Sequence, residues 1–109
     1  MAKNMTVAKE EIKDRKDLAR QMEIVGEVFE NEELIPILAK FEKGMTIYKY
    51  NALSIQIVGK LLECSKKTAD KLVGMHTDKT DAEVNQMDDK EYSKALKDAI
   101  TTEVLNFFG

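Results

Sequence analysis

His76 is the only histidine in the chain and Cys64 the only cysteine, so these two positions carry most of the chemistry that the sequence could hold. A zinc-binding or catalytic imidazole needs an orienting partner and co-ligands. Beside His76 stand Met75 and Thr77, with Asp78 the one carboxylate within a helical turn, and a structural or solvated role is expected. Cys64 precedes Lys66 and Lys67, cations of the kind that lower a thiol pKa. No histidine lies near it in sequence, and an inert, buried thiol is the expectation. The acidic pairs Glu10-Glu11, Glu32-Glu33 and Asp88-Asp89 match no paired-carboxylate motif and fall where helix dipoles or a polar face accommodate negative charge. Glycine-rich phosphate loops and EF-hand loops have no match in the sequence. The residues point to a protein that is not an enzyme, with no catalytic group, no cofactor and no metal.

One pattern resembles nucleic-acid chemistry. Two helical segments meet near Cys64-Ser65, and the second bears Lys66, Lys67 and Lys71, in the manner of a helix-turn-helix. A recognition helix usually carries Arg, Asn or Gln for base edges beside its phosphate contacts, and this segment has no Arg or Gln. Lys and Arg total 17 against 20 for Asp and Glu, a net charge of -3, so no overall positive field exists to hold a phosphate backbone. Nucleic acid is not an expected partner, and a small helical DNA-binding regulator is the alternative reading.

A chain of 109 residues, 43% hydrophobic and 34% charged with one Pro and five Gly, suits a single helical domain with short loops. A lone cysteine allows no intramolecular disulfide, which fits a reducing compartment. No apolar run approaches the roughly 20 residues that span a bilayer, and Met1-Ala2-Lys3-Asn4 lacks a secretion-signal core. A cytoplasmic protein that avoids membranes is expected.

The elements that position these residues read as helices. Residues 8–21 are dominated by charge, with Ile12, Leu18 and Met22 as sparse apolar points, so residues 1–20 should be loosely held. Ile24, Val25, Val28 and Phe29 then form a denser stripe at helical spacing. Asn31-Glu32-Glu33 marks a turn, and Pro36 belongs in the first turn of a helix covering Ile37, Leu38 and Phe41 that ends at Gly44. Met45 to Tyr50 is the only strand-like stretch, yet it has no partner except Met5-Thr6-Val7, so a linker or a first helical turn is expected. From Asn51 as a cap to Glu63, the apolar density predicts a central helix packed on more than one side. Ser65 caps the next helix, which Gly74 or the stretch 76–79 stops. Thr80 with Glu83 and Asp88 with Glu91 are spaced as capping boxes, and Met87 is placed to staple against Tyr92. The last helix carries Tyr92, Ala95, Leu96, Ala99, Ile100, Val104, Phe107 and Phe108 as one stripe. The fold class is all-α, a single-domain bundle of about five to six helices over 1–109, the longest at the C-terminus.

From Leu53 onward this order resembles the tail assembly chaperones of long-tailed bacteriophages: an apolar helix, a second helix from Lys66 to Met75, a short Thr-capped helix, then Asp88 opening a last helix that ends in Phe107-Phe108. The resemblance covers a little over half the chain. It implies a small cytoplasmic helical protein of a phage or prophage that coats the tape measure protein while the tail tube polymerises, consuming no nucleotide. It also implies a homo-oligomer, and a longer frameshifted form that recruits the tail tube protein. Asn106-Phe107-Phe108-Gly109 suits such slippage, because successive Phe codons can create a uridine run, and it equally suits a helix end. Met75, Met87, Leu105, Phe107 and Phe108 are the candidate client or self-association surface. An adaptor or structural protein without a client is the third reading.

Overall fold

Local end signals and one shared core explain the architecture. The structure is a computed structural model that describes residues 18–107, and these contain helices and turns but no strand. Helix α1 is described over 18–30. It is followed by α2 (Ile35–Leu38), α3 (Ile47–Cys64), α4 (Lys66–Thr77), α5 (Asp81–Asn85) and α6 (Asp89–Ala99). A π turn (Ile100–Val104) and a 3-10 turn (Leu105–Phe107) prolong α6 without a break. The run 89–107 slightly exceeds the 18 residues of α3, so the longest helical stretch described lies at the C-terminal end. One hydrophobic cluster draws on every helix, from Val28 in α1 to Val104 in the π turn, as an all-α bundle requires. No helix among the described residues is long and apolar enough to cross a membrane.

In α1 the expected stripe is real: Ile24, Val25 and Val28 are buried and Phe29 is half-buried. Asn31 ends it with an Asx turn, its Oδ1 accepting the Glu33 N–H at 2.9 Å while its carbonyl accepts from Leu34 and Ile35. Pro36 does sit in the first turn of α2. That helix stops at Leu38, earlier than predicted; Phe41 lies beyond it, and Gly44 adopts a positive φ of 81° in the following turn. The Phe41 ring stands edge-on to Tyr50, centroids 5.7 Å apart, which holds this loop against α3.

The first helical turn expected within residues 45–50 forms as the start of α3, but the cap expected at Asn51 is corrected. Thr46 is the cap, accepting the Lys49 N–H at 3.2 Å, and Asn51 lies inside the helix. The β-branched and aromatic residues at 47–50 favour strands only when a partner ladder exists. None forms among the described residues, so the cap decides. Ser65 joins α3 to α4 alone: its N–H bonds the Leu61 carbonyl and its own carbonyl accepts from Ala69. Ser65 makes no side-chain cap bond; its hydroxyl pairs with the Thr68 hydroxyl at 2.9 Å.

The turn after α4 is built on close approach. Asp78 takes the left-handed conformation at φ 56°, tolerable for Asp, and the N–H groups of Asp78 and Lys79 both bond the Gly74 carbonyl. A Cβ at position 74 would stand a tight 3.1 Å from the Lys79 carbonyl oxygen and in ordinary contact, at 3.6 Å, with Val84, so the turn that brings α5 back is built close over Gly74. Thr80 and Glu83 form the full capping box. Bonds from the Thr80 N–H and hydroxyl hold the Glu83 carboxyl below its usual pKa. Asp88 accepts the Glu91 N–H at 2.8 Å, the forward half of the second box.

Two glycines test this account in opposite directions. A Cβ at Gly26 would have nothing within 4 Å, so Gly26→Ala gains about 0.5–1 kcal/mol in urea titration from helix propensity. Gly74→Ala loses about 1–3 kcal/mol, because the contact with Lys79 outweighs the same propensity gain. Equal effects at the two positions would contradict the close-approach argument.

Candidate functional site

An 18-residue helix that is apolar at so many positions has to place them all, and α3 does so on two faces. Leu53, Ser54, Ile57, Val58 and Leu61 are buried against α2, α4, α6 and the π turn. Tyr48, Ile55 and Leu62 stand seven residues apart and remain exposed, at 84%, 58% and 39%. With Asn51 and Val58 between them they follow the alternating three-and-four spacing of a coiled-coil seam. The expected central helix is thus packed by four elements, while Tyr48, Ile55 and Leu62, beside the buried Val58, stay exposed among the described residues.

Helix α6 borders this seam. Leu62 shares a depression of about 490 Å³ with Asp89 and Tyr92, and Ile55 and Val58 share an adjoining one of about 420 Å³ with Lys94 and Lys97. The end of α3 thus meets the start of α6, an antiparallel pairing, and Ser93 lines both depressions, together the groove between α3 and α6; Tyr48 lines neither. Lys90, Lys94 and Lys97 recur four and three apart along its edge. Among the described residues, none of the three is in an ion pair.

The wall between α4 and α6 is fixed by Asp70. Its carboxylate accepts the Tyr92 hydroxyl at 2.6 Å and the Lys66 ammonium at 3.1 Å. Burial, then the hydrogen bond to Asp70 and its charge, raise the Tyr92 pKa well above the ordinary phenol value. Lys71 likewise pairs with Glu27 at 3.1 Å. Two of the three lysines that resembled a recognition helix are thus held in ion pairs on the protein's own surface.

A second polar cluster gives His76 a structural setting. Glu103, far away in sequence, brings its Oε1 to 3.6 Å from His76 Nδ1, both side chains being mostly covered, and the Gln21 amide donates to the other oxygen of the same carboxylate. The imidazole thus has a carboxylate neighbour. The set contains no nucleophile, and no group of three or more metal-ligating side chains exists among the described residues. Its physical effect is to tie α1, α4 and the π turn together. Cys64 is free and exposed, not buried as expected; it is the last residue of α3, one heptad beyond the buried Ile57, and the Asn31 amide lies 3.5 Å from its sulfur.

The five residues expected to form a surface are dispersed. Met75 and Met87 are half-buried against the core, Met87 at the end of the groove. Leu105 is a correction: only 8% exposed, it belongs to the core. In the π turn its N–H bonds the Ile100 carbonyl, five residues back, and this wider turn carries Leu105 onto the buried face that α-helical spacing denies it. Phe108 and the Phe107 side chain lie outside the described residues, as do residues 1–17. The seam on α3 and the lysines of α6 were not foreseen, although the spacing 48, 51, 55, 58, 62 stands in the sequence. No family model, curated protein or solved structure matches the chain.

The two faces of α3 differ measurably. Leu61→Ala, at a fully buried position, costs about 2–5 kcal/mol, and Ile55→Ala costs less than about 0.5 kcal/mol, both read by denaturant titration. A loss at Ile55 rivalling that at Leu61 would show its face to be packed.

Tyr92 supplies a pH test. A phenol whose pKa is raised on folding contributes stability below its unfolded value of about 10, lost as pH rises toward the folded value. With Tyr48→Phe and Tyr50→Phe in place, Tyr92 is the only tyrosine left of three. Its phenolate absorbance should appear only well above pH 10, together with loss of helical circular dichroism. Ionisation near pH 10 with the helices intact would contradict the Asp70 contact.

Proposed function

We propose that this protein is a tail assembly chaperone of a long-tailed bacteriophage or prophage, a non-enzymatic helical protein that binds the tape measure protein and keeps it soluble while the tail tube assembles. The observation that carries the reading is the unpartnered seam on α3. Tyr48, Ile55 and Leu62 leave apolar surface in water along about 21 Å of helix, at 1.5 Å per residue, where a partner helix could cover it. The succession of helices from Leu53 to Phe107 agrees with the resemblance in the sequence. A protein that coats an extended client needs a helix-binding groove, repeated copies and a charged exterior. The groove between α3 and α6 suits the first need, and the 34% of charged residues the last. The work requires no bond to be made or broken, only a reversible cover for apolar surface.

The reading requires a tape measure gene in the same genome, recognisable by its length, and the test is co-expression with its product. Alone, that protein should precipitate; with the wild-type chain it should stay in the soluble fraction as a complex of several copies per client, sized by light scattering. Ile55→Asp should return it to the pellet while the chain itself remains folded. A tape measure protein equally insoluble with and without the wild-type chain would remove the proposal.

A further inference from the structure

We infer that the groove between α3 and α6 takes an acidic amphipathic helix of another protein, one whose apolar stripe is bordered on one edge by Asp or Glu recurring three and four residues apart. This rests on the chaperone reading and names the chemistry of its client.

Each side of the groove lacks a partner of its own kind. On α3, the apolar positions 48, 55 and 62 repeat every seven residues, so a second helix laid along them meets an apolar point every two turns, the register of knobs into holes. A strand alternates its side chains with period two and could not match this spacing. On α6, Lys90, Lys94 and Lys97 repeat at four and three, also a helical row. Their ammonium groups have no ion-pair partner among the described residues, and the same is true of Lys40, Lys43 and Lys67; what sets Lys90, Lys94 and Lys97 apart is that all three line one depression beside Ile55 and Val58. Seven-residue repeats on one wall and a basic row of the same period on the other select one occupant: a helix with apolar a and d positions and carboxylates along the flank that faces α6.

Charge and apolar contact have separate roles. The edge lysines Lys90 and Lys94 are exposed and Lys97 half-covered, so their attraction is screened by salt and acts mainly on encounter and orientation. Ile55 and Leu62 hold the bound helix by burial. A polyanion without an apolar stripe would use the lysines alone, and a second copy of this chain would use the seam alone.

The experiment is fluorescence anisotropy with synthetic helical peptides of about three heptads. The first carries Leu at a and d and Glu along one flank, the second has Lys in place of each Glu, and the third scrambles the first. The first should bind the full chain, and more weakly by several-fold when NaCl is raised from about 50 to 300 mM. The other two should bind at least about tenfold more weakly. Ile55→Asp should abolish binding of the first peptide. The triple substitution Lys90→Glu, Lys94→Glu, Lys97→Glu should transfer the preference to the Lys peptide; all four positions are on the outer side, and circular dichroism checks that each variant is folded. Equal binding of the Glu and Lys peptides, or a triple variant with unchanged preference, overturns the inference. So does binding of the scrambled peptide or duplex DNA that survives Ile55→Asp, which would mark a polyanion site, and so does a dimer dissociated by Ile55→Asp that competes with the peptide. If the triple variant still solubilises the tape measure protein as well as wild type, the acidic-helix inference fails and the chaperone reading stands. If wild type binds the Glu peptide but not that protein, the reverse holds.

Discussion

The close approach of the chain to Gly74 shapes how α5 returns over the end of α4. With the Lys79 carbonyl 3.1 Å from where a Cβ would lie, the chain reverses directly over the end of α4 and seats Val84 against the core. Helix α4 is then covered by α3, α5 and α6, and Ala69, Leu72 and Val73 lose all contact with water. Two polar ties brace α6 and its extension against α4. Tyr92 bonds Asp70 near the start of α6, and Glu103 meets His76 and Gln21 in the π turn.

These ties leave α3 with only one face committed to the fold. Its inner residues complete the core; the outer ones contribute nothing to it and leave apolar surface in water, an arrangement that in monomeric proteins marks an interaction site. The lysine row on α6 borders that surface and has no ion-pair partner among the described residues, so the same packing that stabilises the bundle presents an apolar depression with a basic edge. Structure and proposed activity are thereby linked through one helix: α3 is core on one side, and on the other it carries the exposed residues on which the proposed binding rests.

What could be read in the sequence was local. The capping pairs Thr80 with Glu83 and Asp88 with Glu91, the Asx turn at Asn31 and the place of Pro36 all depend on residues within one turn of each other, and each lies where spacing put it. The cap of α3 was misplaced because Asn51 and Thr46 are both good cap residues close together in sequence; the first helical turn expected over 47–50 forms, and Thr46 opens it. The Glu103 partner of His76 and the π turn that buries Leu105 arise from tertiary packing, which periodicity cannot carry. The seam itself was visible as apolar density, but density does not say which face of a helix meets the core. That depends on where α4 and α6 lie.

The central claim concerns the place of binding, and hydrogen–deuterium exchange of the chain with and without the Glu-bearing amphipathic peptide tests it most directly. Backbone amides in fragments covering 48–62 and 89–98 should exchange more slowly in the complex, because covering this groove stabilises the two helices that form it. Fragments over α2 and α5 should be unchanged. Protection confined to α2, α5 or the end of the described chain, with 48–62 exchanging as in the free protein, would contradict the account.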